Sequence, residues 1–368
     1  MSSQERHTYW MQLALKEARK GVGLTSPNPQ VGAVIVKNEE LLGSGWHKKA
    51  GSPHAEREAI SKVLESYSPD TLRGATIYVT LEPCSTEGKT PPCTQGIIEA
   101  GIQSVVYGAH DPNPSHDGRA KKILQSAGIK VRSRVCEAEC DDIIKSFSKV
   151  QKTGLPWVIL KSAISLDGHT TRPPAESQWL SSPKSREIVQ SLRFQSDAII
   201  TGGNTLRMDD PALTLRSASH PEKTQPWRMI ITRGSRASLP QEARVFTDEF
   251  AERTLVQEQG DLRSALETLV KKGCNTVMVE AGGSMMASFL QQDLADELVV
   301  FYTPLLTGGP DMGFGDLTPS AELCEQRFTR IGSDIMLQAK VTKKPALHHQ
   351  IEALHRSEAS KRQGEVAD

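Results

Sequence analysis

"EPCSTEGKTPPCTQG", residues 82–96, places Cys84 and Cys93 nine positions apart, each directly after a proline, in a stretch otherwise built of loop-forming residues. Such a pair is a disulfide, a redox pair, two bystanders, or half of a metal site completed elsewhere. Six cysteines in 368 residues are too few for a disulfide scaffold. The start, "MSSQERHTYW", has no basic stretch followed by an apolar one, so no secretory signal is expected, and the thiols are expected to be reduced, metal-bound or inert. Eight intervening residues are also not the two of a thioredoxin-like redox pair.

Upstream, "GSPHAEREAI" (51–60) sets His54 and Glu56 two apart at an expected helix start, with Ser52 to cap and Pro53 for the first turn. One histidine beside one glutamate is ordinarily a surface or core pair. The strand-like "ATIYVTLE" changes that by delivering Cys84 to a turn, while Cys93 opens the helix-capable "CTQGIIEAG", where N–H groups and the helix dipole favour a thiolate. One imidazole and two thiolates are three ligands of a tetrahedral Zn²⁺ site with its fourth position open to water, the catalytic arrangement. Bound zinc lowers the pKa of water from about 15.7 to about 7, roughly 12 kcal/mol, so the metal supplies the nucleophile and Glu56 is left to act as the base. His-x-Glu followed by Pro-Cys…Cys is the zinc-deaminase pattern, here with eight residues rather than two between the thiols.

The rest of the chain fits a soluble protein of two domains: 37% hydrophobic, 24% charged, with 44 basic and 44 acidic residues. Zero net charge gives no global pull toward nucleic acid or anionic lipid, and apolar runs such as Ala33–Val36 and Leu298–Tyr302 are of strand length, so neither partner is expected. Met11, Ala14, Leu15 and Ala18 form a helical stripe, with Gly21 as its stop. Strands are expected at 31–36, 75–81, 103–107 and 129–135, and helices near 54–66, 93–100 and 118–127, an α/β layered domain over 1–150. Gly154 and Pro156 mark a boundary. A second α/β domain, 151–342, carries strands at 157–162, 197–201, 228–232, 276–279 and 298–302, with helices at 183–194, 261–272 and 284–292. Residues 343–368 form a polar tail in which His348, His349 and His355 are a minor metal-binding alternative. No strand–GxGxxG–helix fingerprint exists, so a Rossmann domain is not expected.

With these motifs assembled, the chain resembles the bifunctional riboflavin-biosynthesis deaminase/reductase family over about residues 7–340. The likeness rests on "SPNPQVGAVIV", "GSGWHKKAGSPHAE", "TLEPCSTEGKTPPCT" and "DPNPSHDGRA". In the second half it rests on "LKSAISLDGHT", "ESQWLSS", "SDAIITGGNTLRMDDPALTLR" and "VEAGGSMMASFL". The eight-residue thiol spacing is the family's own. The resemblance implies a cytidine-deaminase-like first domain and a dihydrofolate-reductase-like second. It implies zinc-dependent deamination of 2,5-diamino-6-ribosylamino-4(3H)-pyrimidinone 5′-phosphate, then NADPH-dependent reduction of the ribosyl to a ribityl group. By motif match Asn28, His47, Lys89 and Asn113 would contact the deaminase substrate, with His54, Cys84 and Cys93 on zinc and Glu56 catalytic. Ser177, Arg193, Leu213, Arg216 and Glu280 would hold the phosphorylated reductase substrate. NADPH would lie against Ala163, Trp179, Thr205, Asp209, Gly282, Gly283 and Ser284. A cytoplasmic homo-oligomer acting on a small molecule is expected.

Taken as residues, Arg193 and Arg216 suit phosphate through their planar fork, though single arginines are more often solvated. Asn28 and Asn113, each within Pro-Asn-Pro, are ordinarily turn residues. Cys136 and Cys140 in "CEAEC" read as structural thiols rather than a second metal pair, and Cys274 and Cys324 as inert. Two rivals remain: a deaminase with a non-catalytic second domain, and a nucleic-acid-editing deaminase, against which the balanced charge argues.

Overall fold

The apolar stripe at the start lies on α1 (Ser3–Arg19), where Ser2 and Glu5 close a reciprocal capping box that satisfies two of the helix's free N–H groups. The helix ends at Lys20, not through Gly21. It is followed by β1 (Gly32–Lys37), β2 (Glu40–Trp46), α2 (Ala55–Ser66), β3 (Thr76–Leu81), α3 (Cys93–Glu99) and β4 (Ser104–Ala109). Then come α4 (Arg119–Ser126), β5 (Lys130–Arg132), α5 (Glu137–Ile143) and α6 (Lys145–Thr153). Gly154, with φ of +70°, closes α6 in the left-handed conformation at the expected break. The chain continues through β6 (Trp157–Ser165), α7 (Pro183–Gln195), β7 (Ala198–Gly202), α8 (Gly203–Asp209), β8 (Trp227–Ile231), α9 (Arg244–Thr247) and β9 (Thr254–Gln257). The last elements are α10 (Leu262–Lys271), β10 (Thr276–Val279), α11 (Gly283–Gln291), β11 (Glu297–Thr303), β12 (Leu323–Ile331) and β13 (Asp334–Val341). This computed structural model describes residues 2–86, 91–113, 118–173, 176, 179–216, 223–315 and 317–342.

The chain divides into two compact units: Met1–Ile159 with Pro183–Ala281, and Leu160–Ser182 with Gly282–Asp368. The first unit contains a five-stranded sheet of order β2-β1-β3-β4-β5, antiparallel at β2-β1-β3 and parallel at β3-β4-β5. Both faces of that sheet are covered. Ala33, Ile35, Ile77, Val79 and Tyr107 pack with Ala59, Val63, Ile97 and Leu124 of α2, α3 and α4 on one side. Val34, Val36, Tyr78 and Val106 pack with Met11, Ala14 and Leu15 of α1 and with Cys140 on the other. Burial on both faces explains why these strands read as continuous apolar runs. Met11 and Leu15 are wholly buried, each contributing roughly 2 kcal/mol.

The edge strand β2 escaped the sequence reading because it is only partly buried and is interrupted by glycines. Those glycines are packing requirements: a Cβ on Gly45 would stand 2.5 Å from the Ala59 nitrogen of α2.

The first unit also holds four parallel strands in the order β10-β7-β8-β9. Arg228 is buried in their midst and pairs bidentately with Asp248, at 2.6 and 2.8 Å. In the second unit the strand order is β12-β13-β11-β6, with β12-β13-β11 antiparallel. The β12–β13 hairpin was not legible, since β12 buries neither face. No helix among the described residues is long and apolar enough to cross a membrane.

Candidate active site

Three elements of the first unit bring the expected ligands together. β3 ends one residue before Glu82-Pro83-Cys84, α2 begins directly after His54, and Cys93 is the first residue of α3. His54 itself occupies the cap position of α2 and makes no side-chain cap bond, so Ser52 is not the cap. Its Nδ1 lies 3.4 Å from Cys84 Sγ and 3.3 Å from Cys93 Sγ. A tetrahedral ion about 2.3 Å from sulfur and about 2.0 Å from nitrogen sets such atoms about 3.5 Å apart. The donor set therefore fits zinc. Among the described residues this is the one His/Cys/acid group whose ligand atoms all lie within 4.8 Å of one another. Glu56 stands outside it, in the first turn of α2 and buried.

Among themselves the groups divide charge unevenly. Hydrogen bonds from Cys93 and His54 lower the Cys84 thiol to about 4. The Cys93 thiol is pushed well up, by its bond to Cys84 and then by burial. The first N–H of α3, that of Cys93, donates to Cys84 Sγ at 3.2 Å, so the helix start also favours the Cys84 thiolate. His54 is raised chiefly by its bond to Cys84. Burial, then the Cys84 charge, raises Glu56 above the usual carboxylate range.

His47 and Asn28 form one wall. Burial holds His47 below its usual pKa, so the ring is neutral. Its Nδ1–H donates to the Pro53 carbonyl at 3.1 Å, which leaves Nε2 to accept from Asn28 Nδ2 at 3.0 Å. The His47 and His54 rings meet edge to face, 5.5 Å between centroids. Asn113 follows β4, its N–H donating to Asp111 at 2.9 Å. Lys89 and Ser177 lie outside the described residues.

Two supporting residues were missed. Glu82 is buried and accepts from the N–H groups of Gly118 and Ala120, at 3.1 and 3.2 Å, with His110 at 3.5 Å. Arg57 donates to the Pro91 and Pro92 carbonyls, at 3.2 and 3.3 Å, where the Cys84–Cys93 loop returns. Their adjacency to Cys84 and Glu56 was the available signal.

A second cluster lies in the same unit. Arg193 on α7 pairs with Glu280 after β10 through two bonds, of 2.7 and 3.1 Å, and donates to the Thr214 carbonyl at 2.8 Å. Its guanidinium is therefore engaged by protein. Leu213 is buried at φ +51°, a left-handed conformation costing about 1–2 kcal/mol for a side chain of this kind. The turn presents Thr214 to Arg193 and the Arg216 N–H to Gln190, leaving the Arg216 side chain exposed. Thr205 and Asp209 lie on α8. In the second unit, Ala163 is on β6, Trp179 is half exposed, and Gly282-Gly283-Ser284 open α11. A Cβ on Gly283 would fall 2.0 Å from the Met312 carbonyl, whereas Gly282 faces open space. A helix start with Gly282 and Ser284 exposed suits a dinucleotide phosphate.

Cys136 and Cys140 join no metal group among the described residues. Cys140 is buried, its thiol pushed up to about 12, and its sulfur fills the space beside Gly108. Cys274 is buried and Cys324 exposed. The tail histidines lie outside the described residues.

Residues 4–109 match the cytidine and deoxycytidylate deaminase zinc-binding region, and residues 156–337 match the RibD C-terminal domain. The riboflavin biosynthesis protein RibD of Haemophilus influenzae is 37% identical over 361 residues, covering 89% of this chain and 95% of that protein. The chain belongs to the RibD family. Among solved RibD-family structures, Acinetobacter baumannii RibD superposes with a TM-score of 0.83 at 35% identity, covering 93% of this chain and all of that one. A Thermotoga maritima diaminohydroxyphosphoribosylaminopyrimidine deaminase/5-amino-6-(5-phosphoribosylamino)uracil reductase gives 0.80 at 32% identity, covering 92% and 99%. The chain is accordingly a two-activity enzyme of riboflavin biosynthesis, with a zinc-binding deaminase region and a nucleotide-cofactor reductase domain of the RibD family.

Proposed function

We propose that residues 1–150 deaminate 2,5-diamino-6-ribosylamino-4(3H)-pyrimidinone 5′-phosphate and that residues 151–342 then reduce the ribosyl group of the product with NADPH. The observation that carries the first step is the convergence of His54, Cys84 and Cys93 with a buried, unligated Glu56 beside them. Zinc, when held by those three, supplies an acidified water. Glu56 would accept the first proton of that water as its oxygen bonds to the ring carbon bearing the amine, and give it to the adjacent ring nitrogen. It would then take the proton left on the added hydroxyl and pass it to the departing amine, so that the C–N bond breaks, a carbonyl forms and ammonia leaves. Asn28, with its amide oriented by neutral His47, and Asn113 would read the pyrimidine edge, and Lys89 would reach the substrate from the Cys84–Cys93 loop.

For reduction, NADPH would supply the hydride. At the start of α11, exposed Gly282 and Ser284, with Gly283 packed between them, would take a diphosphate, and half-exposed Trp179 suits a ring. Exposed Arg216 is the better phosphate anchor, with Arg193 and Glu280 holding its turn in shape. Ser177, Leu213, Ala163, Thr205 and Asp209 complete the proposed contacts. The reading also puts the chain in the cytoplasm as a homo-oligomer. Purified, metal-analysed chain given the diamino substrate should release ammonia and then oxidise NADPH. Ammonia release without NADPH oxidation, or turnover on oligonucleotides instead, would overturn it.

A further inference from the structure

Asp197 immediately precedes β7, at the opposite end of the parallel strands from Gly202 and Glu280. Its side chain is 11% exposed. Oδ2 accepts from Ser26 Oγ at 2.8 Å and from the N–H groups of Asn275 and Thr276 at 2.9 Å each, with the Lys223 ammonium 3.9 Å from Oδ1. The same neighbours hold the segment that contains Ser26: Lys223 donates to the Gly23 carbonyl, and Asn275 Nδ2 donates to the Pro27 carbonyl at 2.9 Å. Gly23 lies so close that a Cβ there would stand 2.5 Å from the Phe194 carbonyl. Residues 23–27 are thus fastened at three points by side chains that arrive from far along the chain.

That segment carries Asn28. Thr25 Oγ1 closes the turn on the Asn28 carbonyl at 3.0 Å, and the Asn28 amide meets His47, which is fixed in turn by Pro53 beside His54. A buried carboxylate costs more than a well-packed apolar residue in the same place, and what it returns is a fixed geometry. We infer that Asp197, together with Lys223 and Asn275, is a positioning residue for deamination, setting the Asn28–His47 wall from the N-terminal rim of β10-β7-β8. One set of parallel strands then serves two ends: the carboxyl ends present Glu280 and Gly202, and the amino ends steady the pyrimidine-binding segment. The inference rests on Asn28 and His47 contacting the substrate.

The test uses full-length, zinc-loaded protein and compares Ser26→Ala, Asp197→Ala, Asp197→Asn and Asn28→Ala by ammonia release, zinc content and NADPH oxidation. Ser26→Ala and Asp197→Ala should raise the deaminase KM about tenfold, the worth of one lost hydrogen bond, with kcat within about twofold and zinc retained. Asp197→Asn, which keeps an acceptor for Ser26, should restore most of the KM. Ser26→Ala removes a single hydroxyl and carries the test if Asp197→Ala does not fold. If Asn28→Ala raises KM while Ser26→Ala and Asp197→Ala do not, the positioning role is overturned. The same follows if Asp197→Ala lowers both activities together without moving KM. An Asn28→Ala enzyme with unchanged KM would overturn the substrate assignment, and this inference with it.

Discussion

The His54–Cys84–Cys93 cluster and the Arg193–Glu280 cluster both lie beyond the carboxyl ends of parallel strands, yet they handle polarity in opposite ways. In the second, each charge is answered: Arg193 spends its donors on Glu280 and Thr214, and the result is a rigid turn. In the first, two thiols and an imidazole crowd together with a buried carboxyl against Cys93, and no arginine or lysine is paired with them among the described residues. An ion pair closed on itself makes a scaffold, whereas lone pairs converging on one point make a site for a cation and its chemistry.

The contrast breaks first at the metal. Cys84→Ala should abolish zinc retention and deamination, with metal analysis and ammonia release as readouts, while NADPH oxidation on the supplied deaminated intermediate persists. Next comes Glu56→Gln, which should lower deaminase kcat by about 10³-fold with zinc retained, within the range of a lost general base. Affinity for zinc should climb with pH. His54 is held above 6.5 and Cys93 far higher, and both must shed protons to bind, so competition with a chromophoric chelator should show about tenfold tighter binding per pH unit for each proton released. On the scaffold side, Arg193→Ala takes from the partly buried Glu280 its bidentate cation and should cost about 3 kcal/mol, seen as a lowered Tm. Arg216→Ala should instead raise the reductase KM without moving Tm.

How much of this was legible follows from sequence distance. His54, Glu56, Cys84 and Cys93 sit at element ends within about forty residues, so alternating strand and helix signals sufficed to converge them. That the helix start of α3 serves Cys84 as well was not legible, because it depends on where the Cys93 N–H points. Arg216 read as one of two equivalent arginines, and the pairing of Arg193 with Glu280, 87 positions away, separates them. Asp197 and Ser26 are 171 positions apart, and neither stands in a pattern that announces the other. β2 and β12 were missed for a related reason: edge strands that bury one face or none carry little apolar signal.

The most direct test of the central claim is a single comparison on Glu56→Gln: zinc per chain, ammonia released from the diamino substrate, and NADPH oxidised on the deaminated intermediate. One zinc per chain, ammonia release down about 10³-fold and undiminished NADPH oxidation is the predicted result. A variant that loses its zinc, or that still releases ammonia at the wild-type rate, would contradict the role given to Glu56 and the mechanism built on it.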